Sequence, residues 1–259
     1  MARIHEIVRA HPRYGYRMIH QKLRQANFKI NVKRVHRLCR QENLKVLKKK
    51  GKKRRFGKSK NGIRKRPATG INDVWCWDFV HDRDERGRSI RWLNIVDEFT
   101  REALVSEAGR SMKAIDVIET LSRLIALRGA PACLRSDNGP EFIAYQVRDF
   151  LATVSVQTLY IEPGSPWENG FAESYNSRFR DEHLDAELFS DLREARDATA
   201  RWLYDYNHCR PHSSLGYMTP VAYAASLADP AVGAAPLPTS QPATDNLENH
   251  ESTLITIGT

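Results

Sequence analysis

Apolar residues recur at helical spacing through the first 45 positions of the chain, with two interruptions. Ile4, Ile7 and Val8 predict a first helix, which ends before Pro12 and Gly15. Two further helices, on either side of a polar link at 27–31, are predicted from Tyr16, Ile19, His20 and Leu23, and from Val32, Val35, Leu38 and Cys39. Three short helices with basic outer faces suit a helix-turn-helix module, which we place at residues 1–47.

The third predicted helix carries a basic face. Arg34, Arg37 and Arg40 recur every three residues, with Lys33 beside them. Because residues at this spacing lie on one side of a helix, they predict contact with DNA. The alternative is a small helical cap that only packs on the rest of the protein.

A period of two replaces the helical period near residue 74. The runs VWCWDFV, RWLNIVDEF and ALVSEAG predict three strands, the second following the turn-like DERGRS. A helix capped by Ser111 is predicted to continue to about Leu127, with an apolar face made of Ile115, Ile118, Leu121, Leu124 and Ile125. Next come a strand in ACLRSD, a helix in EFIAYQVRDFLATV, a strand in VQTLYI, and a helix from about Trp167 to His183. This order predicts a mixed α/β sheet at 70–187.

The rest of the chain is predicted to extend this core and then lose structure. A helix in LREARDATARWLYDYN and the loop-like RPHSSLGYMTP form an extension at 188–227. Residues 228–259 are mostly Ala, Pro, Ser and Thr with few large apolar groups, which predicts a disordered tail. Trp75, Trp77 and Trp92 are expected in the core rather than on a base-stacking surface.

Charge is distributed unevenly along the chain. Residues 1–66 hold 24 Lys or Arg against two acids, whereas the remaining residues hold 17 against 29. The basic segment 48–69, which includes Lys52, Lys53, Arg54 and Arg55, is predicted to be a linker that contacts DNA phosphates. A basic arm on an acidic body indicates a polyanion partner and salt-dependent binding.

Cysteine usage and hydropathy exclude several classes of protein. The four cysteines are scattered without a C-x-x-C pair, which argues against a disulfide framework and a thiolate zinc site. His208, Cys209 and His212 lie close together but lack a second cysteine, so a zinc cluster is not expected there. No apolar run reaches the length of a membrane span and no signal peptide is visible, so a cytoplasmic location and no membrane partner are expected.

Three carboxylates stand in distinctive settings. Asp78 lies in WCWDFV, Asp137 in LRSDNGPEF and Glu173 in SPWENGFAESYNSRFR, with 35 residues between the last two. Carboxylates on different elements suit the binding of two Mg²⁺ or Mn²⁺ ions beside a phosphodiester. An aspartate among aromatic residues, such as Asp78, is costly to bury unless a cation compensates its charge.

Each carboxylate also has an ordinary structural interpretation. Asp78 suits a core carboxylate satisfied by hydrogen bonds, Asp137 begins an Asp-Asn-Gly turn, and Glu173 suits a solvated helical residue. Glu168 is a rival third ligand, although an acid near a helix start is favoured by the helix dipole anyway. Asp97 ends the second strand, and a structural or turn-forming role is expected for it.

Two further polar residues share a helical face with Glu173. Asn176 and Arg180 follow it at i+3 and i+7, which predicts a metal ligand and a phosphate-binding cation two turns apart. Asn176 and Arg180 are therefore candidate DNA contacts. Arg210 and His212 are left open as further contacts.

The three acidic segments resemble the catalytic core of DDE transposases and retroviral-type integrases. With PRYGYRMIHQKL near the start and YNHCRPHSSLGYMTP near the end, the chain resembles the second-frame (orfB-type) transposase of the insertion sequences called IS-three, over about residues 1–225. The resemblance implies a ribonuclease-H-like fold, an N-terminal helix-turn-helix-like domain and Asp78, Asp137 and Glu173 as metal-binding catalytic residues. Family members often have Lys where this chain has Arg180.

The resemblance implies a transposase that cleaves the ends of an insertion sequence and joins them to target DNA. It also implies a homo-oligomer, at least a dimer, on double-stranded DNA, and a partner from an upstream reading frame. Two alternatives stay open. One is a non-catalytic DNA-binding protein, such as a repressor or a decayed transposase, and the other is a ribonuclease or repair nuclease on the same fold.

Overall fold

The structure, a computed structural model, describes residues 1–44, 46, 66–136, 145–160 and 169–228. Three helices form the N-terminal unit: α1 (Ala2–Ala10), α2 (Tyr16–Gln25) and α3 (Val32–Gln41). They enclose a small core of their own that contains Ile4, Ile7, Ile19, Leu23 and Val35. The three helices predicted from the apolar spacing are confirmed.

Helix α3 begins at a side-chain cap. Asn31 is its N-cap, and the Asn31 side-chain oxygen accepts a hydrogen bond from the backbone N–H of Lys33 at 2.8 Å. Such a cap satisfies a helix-end donor and typically contributes about 1 kcal/mol. Val35 and Cys39 face the small core, so the basic positions of α3 point outward.

A five-stranded mixed sheet forms the centre of the rest of the chain. Its strands are β1 (Val74–Arg83), β2 (Ser89–Asp97), β3 (Ala103–Gly109), β4 (Cys133–Ser136) and β5 (Gln157–Tyr160). They lie in the order β3-β2-β1-β4-β5, with β1, β2 and β3 antiparallel and β1, β4 and β5 parallel. The predicted mixed α/β sheet is confirmed.

Helices cover both faces of this sheet. On one face, Trp75, Trp77 and Phe79 of β1 pack with α4 (Ala114–Arg128) and α5 (Tyr145–Thr153). On the other face, Cys76 and Val80 pack with α6 (Gly170–Glu182) and α7 (Leu192–Tyr204). Because successive side chains of a strand alternate, the residues from Trp75 to Val80 face the two cores in turn. Trp75, Trp77 and Trp92 are fully buried, as expected.

Two details of α4 differ from the prediction. The helix begins at Ala114, with Lys113 rather than Ser111 as its N-cap, because the Asp116 carboxylate accepts a hydrogen bond from the Lys113 N–H at 2.7 Å. Ile115 is exposed instead of lying on the apolar face. The buried residues of α4 are Val117, Thr120, Leu121 and Leu124, which places Ile115 on the outer side.

After α7, the extension contains two short helical turns and then a final helix. The apolar pattern did not predict this final helix. A turn of π-helix at Asp205–Cys209 follows α7, and a 3₁₀ turn at Ser213–Leu215 follows it within the predicted loop. Helix α8 (Pro220–Ala228) then ends the described part of the chain. No helix in the described ranges has the length and apolar character needed to span a bilayer.

The N-terminal unit packs against this extension and the end of α6. The Arg13 guanidinium lies 3.7 Å from the Asp181 carboxylate, and the Lys22 amine donates to the carbonyl of Cys209 at 3.3 Å. His11 approaches Asp205 at 3.9 Å. Arg13 and Lys22 of the N-terminal unit thus contact a carboxylate of α6 and a backbone carbonyl of the extension.

Candidate active site at the junction of β1 and α6

Asp78 lies in the middle of β1, on the sheet face that packs against α6. The residues two positions away on either side, Cys76 and Val80, belong to the buried cluster that includes Tyr175 and Phe179 of α6. The Asp78 side chain is half-buried. One of its carboxylate oxygens accepts a hydrogen bond from the backbone N–H of Phe79 at 2.7 Å.

A side-chain hydrogen bond joins Asp78 to α6. The Asn176 amide nitrogen donates to the other Asp78 carboxylate oxygen at 2.8 Å. The Asn176 amide oxygen in turn accepts a hydrogen bond from the side-chain nitrogen of Asn94 at 2.8 Å. Asn94 sits on β2 directly opposite Asp78 in the sheet register. Three side chains from β2, α6 and β1 therefore form one hydrogen-bonded chain that ends on the carboxylate.

Glu173 lies one helical turn before Asn176 on α6. Residues three apart on a helix are neighbours on its surface, so Glu173 shares its side of α6 with the residue that contacts Asp78. Glu173 is exposed, and the partial burial of its carboxyl group raises its pKa. Burial disfavours the charged form of a carboxyl group, and a nearby cation would favour it.

Arg180 continues the same side of α6 toward the end of β1. Its guanidinium donates to the backbone carbonyl of His81 at 2.8 Å and lies 3.9 Å from the Asp82 carboxylate. It remains partly exposed. Asn176 and Arg180 thus contact β1 at successive positions, which fixes the direction of α6 along this strand.

Strand β4 ends beside the same region of β1. Its last residue is Ser136, and Arg135 pairs with Cys76 in a parallel ladder, two residues before Asp78. The Arg135 guanidinium is buried and donates to the Glu98 carboxylate at 2.7 Å. It also donates to the backbone carbonyl of Arg66 at 2.7 Å. Arg135 therefore ties the end of β4 to the β2–β3 turn and to the segment that precedes β1.

Models of known domain families, and individual known proteins, match most of the length of this chain. Models of the integrase core domain match residues 68–166 and 154–220, and a model of an HTH-like domain matches residues 1–53. The 31.7 kDa protein of insertion element IS407 from Burkholderia multivorans is 34% identical over 228 residues, which cover 86% of this chain and 80% of that protein. The chain belongs to the family of insertion-element proteins with an integrase core.

Other relatives agree with this membership. The 39.2 kDa protein of insertion element IS476 from Xanthomonas euvesicatoria is 36% identical over 87% of this chain, which spans 64% of that protein's length. The transposase InsD of insertion element IS2 from Escherichia coli is 28% identical over 86% of this chain and 77% of its own. A chain of the simian T-cell lymphotropic virus intasome has the same fold, with a TM-score of 0.50, 16% identity, and coverage of 72% of this chain and 63% of that one.

The fold class predicted from the sequence is therefore confirmed. This insertion-element protein carries the integrase core of the DDE polynucleotidyl-transferase superfamily, with a ribonuclease-H-like sheet and an N-terminal HTH-like domain. The domain boundaries predicted at 47, 69, 187 and 227 stay predictions.

Several predicted site residues of the integrase-core protein lie outside the described residues. They are Asp137, the rival ligand Glu168, and the basic residues Lys52, Lys53, Arg54 and Arg55. Within the described ranges, no three His, Cys, Asp or Glu side chains form a group that could hold a metal ion. Of the three predicted metal-binding acids, the structure describes Asp78 and Glu173.

The donors around Asp78 fit a hard divalent cation. Asp78 and Glu173 offer only carboxylate oxygens, which Mg²⁺ and Mn²⁺ prefer. Asp78 accepts hydrogen bonds from the neutral N–H groups of Phe79 and Asn176, one on each oxygen, and these two bonds orient the carboxylate. A magnesium ion at this junction would be held by Asp78 and Glu173.

Asp97 and Arg210, the remaining acidic and basic candidates, have structural roles. The Asp97 carboxylate accepts hydrogen bonds from the backbone N–H groups of Asn72, Phe99 and Thr100, which confirms its turn-forming role. Arg210 is buried and forms a two-point ion pair with Glu182, at 2.5 and 2.7 Å. The charge of Arg210 is therefore compensated within the protein.

His212 and its neighbours do not form a zinc site in the described part of the chain. His212 is buried, and its ring nitrogen lies 3.1 Å from the carbonyl of Tyr206. Burial, followed by the nearby Arg210, lowers the pKa of His212 to about 3. His208 stacks on Tyr204 with the ring centroids 4.5 Å apart. All four cysteines are free thiols, as the scattered spacing predicts.

The candidate DNA contacts on α3 are exposed. Lys33, Arg34, Arg37 and Arg40 all point to solvent on the outer side of the N-terminal unit. They lie on a different element from Asp78 and Glu173, so the structure gives the chain two separate candidate surfaces. Their contact with DNA stays a prediction.

The sequence reasoning missed Asn94 and Arg135. Both are polar side chains with only 2% exposure, Asn94 on β2 and Arg135 on β4. The signal was present, because Asn94 interrupts the run RWLNIVD at a position with the same parity as Trp92 and Val96. A polar side chain on the core-facing side of a strand destabilises the fold unless it has a hydrogen-bond partner. This is why Asn94 could have been recognised as a residue with a specific contact.

Proposed function

We propose that this protein is a DNA transposase of the second-frame (orfB) type found in IS-three insertion sequences. It would bind the ends of its element, cleave them in a metal-dependent reaction, and join the exposed strands to target DNA. Membership of the integrase-core family supports the reaction class. The N-terminal HTH-like domain supports a double-stranded DNA partner.

The observation that carries the proposal is the hydrogen bond from Asn176 to Asp78. It attaches the helix that bears Glu173 to the middle of the strand that bears Asp78. Strand β4, which ends one residue before Asp137, pairs with β1 two residues before Asp78. Neighbouring strands lie only about 4.8 Å apart, so Ser136 at the end of β4 is close to β1. We therefore assign Asp78, Asp137 and Glu173 as the catalytic carboxylates.

The proposed chemistry is two successive in-line displacements at phosphorus. In the first, a water oxygen forms a bond to phosphorus and the bond to the 3′-oxygen breaks, which leaves a 3′-hydroxyl and a 5′-phosphate. In the second, that 3′-hydroxyl oxygen attacks a target phosphodiester and displaces another 3′-oxygen, which takes up a proton. No covalent link to the protein is needed.

The three carboxylates would hold two Mg²⁺ or Mn²⁺ ions, which stabilise the charge on the attacking and leaving oxygens. In this chain, Asn176 orients the Asp78 carboxylate toward the junction with α6. Arg180 lies two turns after Glu173, where its guanidinium can bind a backbone phosphate of the substrate. Joining two element ends requires at least two copies of the chain, so we also propose a homo-oligomer on DNA and leave the upstream-frame partner as part of the proposal.

The decisive experiment replaces Asp78 by Asn, which keeps the shape of the side chain and removes its charge. Cleavage and strand transfer on element-end DNA in Mg²⁺ or Mn²⁺ should fall below detection, because a carboxylate ligand is lost. Binding of the same DNA, measured by fluorescence anisotropy, should remain close to wild type. Asp137→Asn and Glu173→Gln should behave in the same way.

Full cleavage by Asp78→Asn would refute the catalytic assignment. Tight DNA binding by the wild-type protein with no turnover in either metal would favour a non-catalytic repressor. Hydrolysis of an RNA–DNA hybrid with no reaction on element ends would favour a nuclease on the same fold.

A further inference from the structure

Three polar side chains form a row across the sheet at the level of Asp78. Ser106 on β3 pairs with Asn94 on β2, and Asn94 pairs with Asp78 on β1. Directly paired residues lie on the same face of a sheet, so all three point toward α6. The flanking positions on this face of β1 and β2 are apolar and belong to the buried core. The row is therefore a polar interruption of an otherwise apolar face.

Each member of the row contacts α6 at one of two successive residues. The Ser106 hydroxyl lies 2.6 Å from the Tyr175 hydroxyl, whereas Asn94 and Asp78 both contact Asn176. Ser106 and Tyr175 dock the helix without touching the carboxylate. The path from Asn94 through Asn176 ends on Asp78.

The direction of this path follows from the chemistry of the end group. An ionised carboxylate accepts hydrogen bonds only, so Asn176 must turn its NH₂ group toward Asp78. Its amide oxygen then faces Asn94 and requires a donor, which the Asn94 NH₂ group supplies. An asparagine amide can flip by half a turn with little change of shape. With Asn94 in place, the flipped amide would set two NH₂ groups against each other and an oxygen against the carboxylate.

The buried Asn94 side chain lowers the stability of the fold. Its side chain is 2% exposed, and its amide oxygen has no hydrogen-bond partner among the described residues. A buried acceptor without a hydrogen-bond partner is unfavourable, because it has lost its hydration without compensation. An apolar side chain of similar size would avoid this cost, so the contribution of Asn94 is better explained by its effect on Asn176 than by stability.

We propose that Asn94 is a positioning residue, whose buried amide fixes the orientation of the Asn176 amide and thereby that of the Asp78 carboxylate. The proposal rests on the catalytic role proposed for Asp78. In this role, Asn94 does not contact the reacting atoms. It acts through Asn176, and its loss should loosen the carboxylate without unfolding the site.

The test compares Asn94→Leu with the wild-type protein. Leu has a similar shape and removes the unpartnered oxygen of Asn94, while the amide oxygen of the partly exposed Asn176 can accept from water instead, so the thermal unfolding midpoint should stay close to wild type. The cleavage kcat should fall by about 10- to 100-fold, as is usual when a residue that orients a metal ligand is removed. The KM for element-end DNA should not change. Mg²⁺ binding by the DNA-free protein, followed by titration calorimetry, should weaken about tenfold.

Ser106→Ala is the matched control. It removes a hydrogen bond between the sheet and α6 at the same register but leaves Asn94, Asn176 and Asp78 intact. Its Mg²⁺ affinity and its cleavage rate should remain within twofold of wild type. Equal losses in Asn94→Leu and Ser106→Ala would mean that both residues only dock the helix, and would overturn the proposal.

A double-variant cycle tests the path itself. If Asn94 acts only through Asn176, adding Asn94→Leu to Asn176→Leu should cause no further loss of rate or of Mg²⁺ affinity. Additive losses would overturn the proposal. Full activity and Mg²⁺ affinity in Asn94→Leu, alongside an inactive Asp78→Asn, would reject the role of Asn94 and leave the transposase function standing. Activity in Asp78→Asn would instead reject the proposed function.

Discussion

At the scale of single residues, burial decides which groups carry charge. Asp78 remains half-buried and can meet a cation, whereas His183 sits deep in the core beneath α7. The Trp92 indole N–H donates to the Thr199 hydroxyl oxygen at 2.9 Å, and the same oxygen lies 3.1 Å from the His183 ring nitrogen. The Thr199 hydroxyl can donate to or accept from the His183 ring, and burial of that ring disfavours its protonated form.

The buried neutral ring predicts a pH-dependent stability. Burial, with Arg201 nearby, lowers the pKa of His183 to about 4. The unfolded chain takes up the proton near the ordinary histidine pKa of about 6.5, so His183 stabilises the fold above that pH and the stability is lost as the pH falls toward 4. The loss attributable to His183 should reach about 2 kcal/mol by pH 5.

Urea unfolding of the wild-type protein and of His183→Gln at pH 7 and pH 5 measures this effect. The variant cannot titrate, so its free energy of unfolding should fall less between the two pH values. Parallel falls in the two proteins would show that His183 is already charged in the folded state.

Part of the candidate site could be predicted from the sequence, because some of its residues differ in chemistry from their immediate neighbours. Asp78 stood out because an acid in VWCWDFV contradicts the surrounding apolar strand. Asn176 was expected to contact DNA, whereas in this structure its amide is bonded to Asp78, a contact that depends on how a distant helix meets the strand. Asn94 was missed because its partner lies 82 residues away in the sequence.

At the scale of elements, α6 is held from its middle to its last residue. Asn176 and Arg180 attach its middle and end to β1, and Glu182, its last residue, pairs with Arg210 beyond α7. This last pair is almost fully buried. Removing one partner of a buried pair leaves the other charge without compensation, which is more costly than losing the pair as a whole.

Arg210→Met should therefore lower the free energy of unfolding by about 3 kcal/mol or more. The double variant Arg210→Met with Glu182→Leu should recover most of that loss, because no unpaired charge remains. Chemical unfolding of the wild type, both single variants and the double variant at neutral pH gives the coupling energy. A double variant as unstable as the sum of its single variants would show that the pair contributes no coupling.

Elements with long periodic patterns were predicted well, and their ends were not. The strands β1 to β3 and the helices α1 to α3 follow directly from alternation or helical spacing. The start of α4 was misplaced from Ser111 because the Asp116 carboxylate, inside the helix, provides the cap. Helix α8 begins at a proline in a short Ala-rich run, where little periodicity is available to predict it.

At the scale of the whole molecule, the candidate DNA-binding face and the candidate active site lie on different units. The outward face of α3 is basic, and the residues that pack the N-terminal unit onto the core include Arg13 and Lys22, which face Asp181 and the carbonyl of Cys209. Charge on the inner side is thus compensated within the protein. The charge on the outer side of α3 remains available to a polyanion.

Removing the outer charge should weaken DNA binding without affecting the fold. For Arg34→Ala with Arg37→Ala, the slope of the logarithm of the binding constant against the logarithm of the salt concentration should become shallower by about 1 to 2, since each phosphate contact contributes about 0.9. Arg148→Ala with Arg193→Ala removes the same charge from exposed positions of α5 and α7 and is the control. An equal change of slope in both pairs would assign the effect to net charge rather than to α3.

The division of β1 between two cores limits how this protein can change. A single inserted or deleted residue ahead of Asp78 would move every later side chain of the strand to the opposite face. An indole or phenyl ring would then occupy the position of the carboxylate, and the acid would be driven into the hydrophobic layer beneath α4. Length variation among descendants of this chain should therefore collect in loops such as Asp84–Arg88, while β1 itself changes by substitution alone.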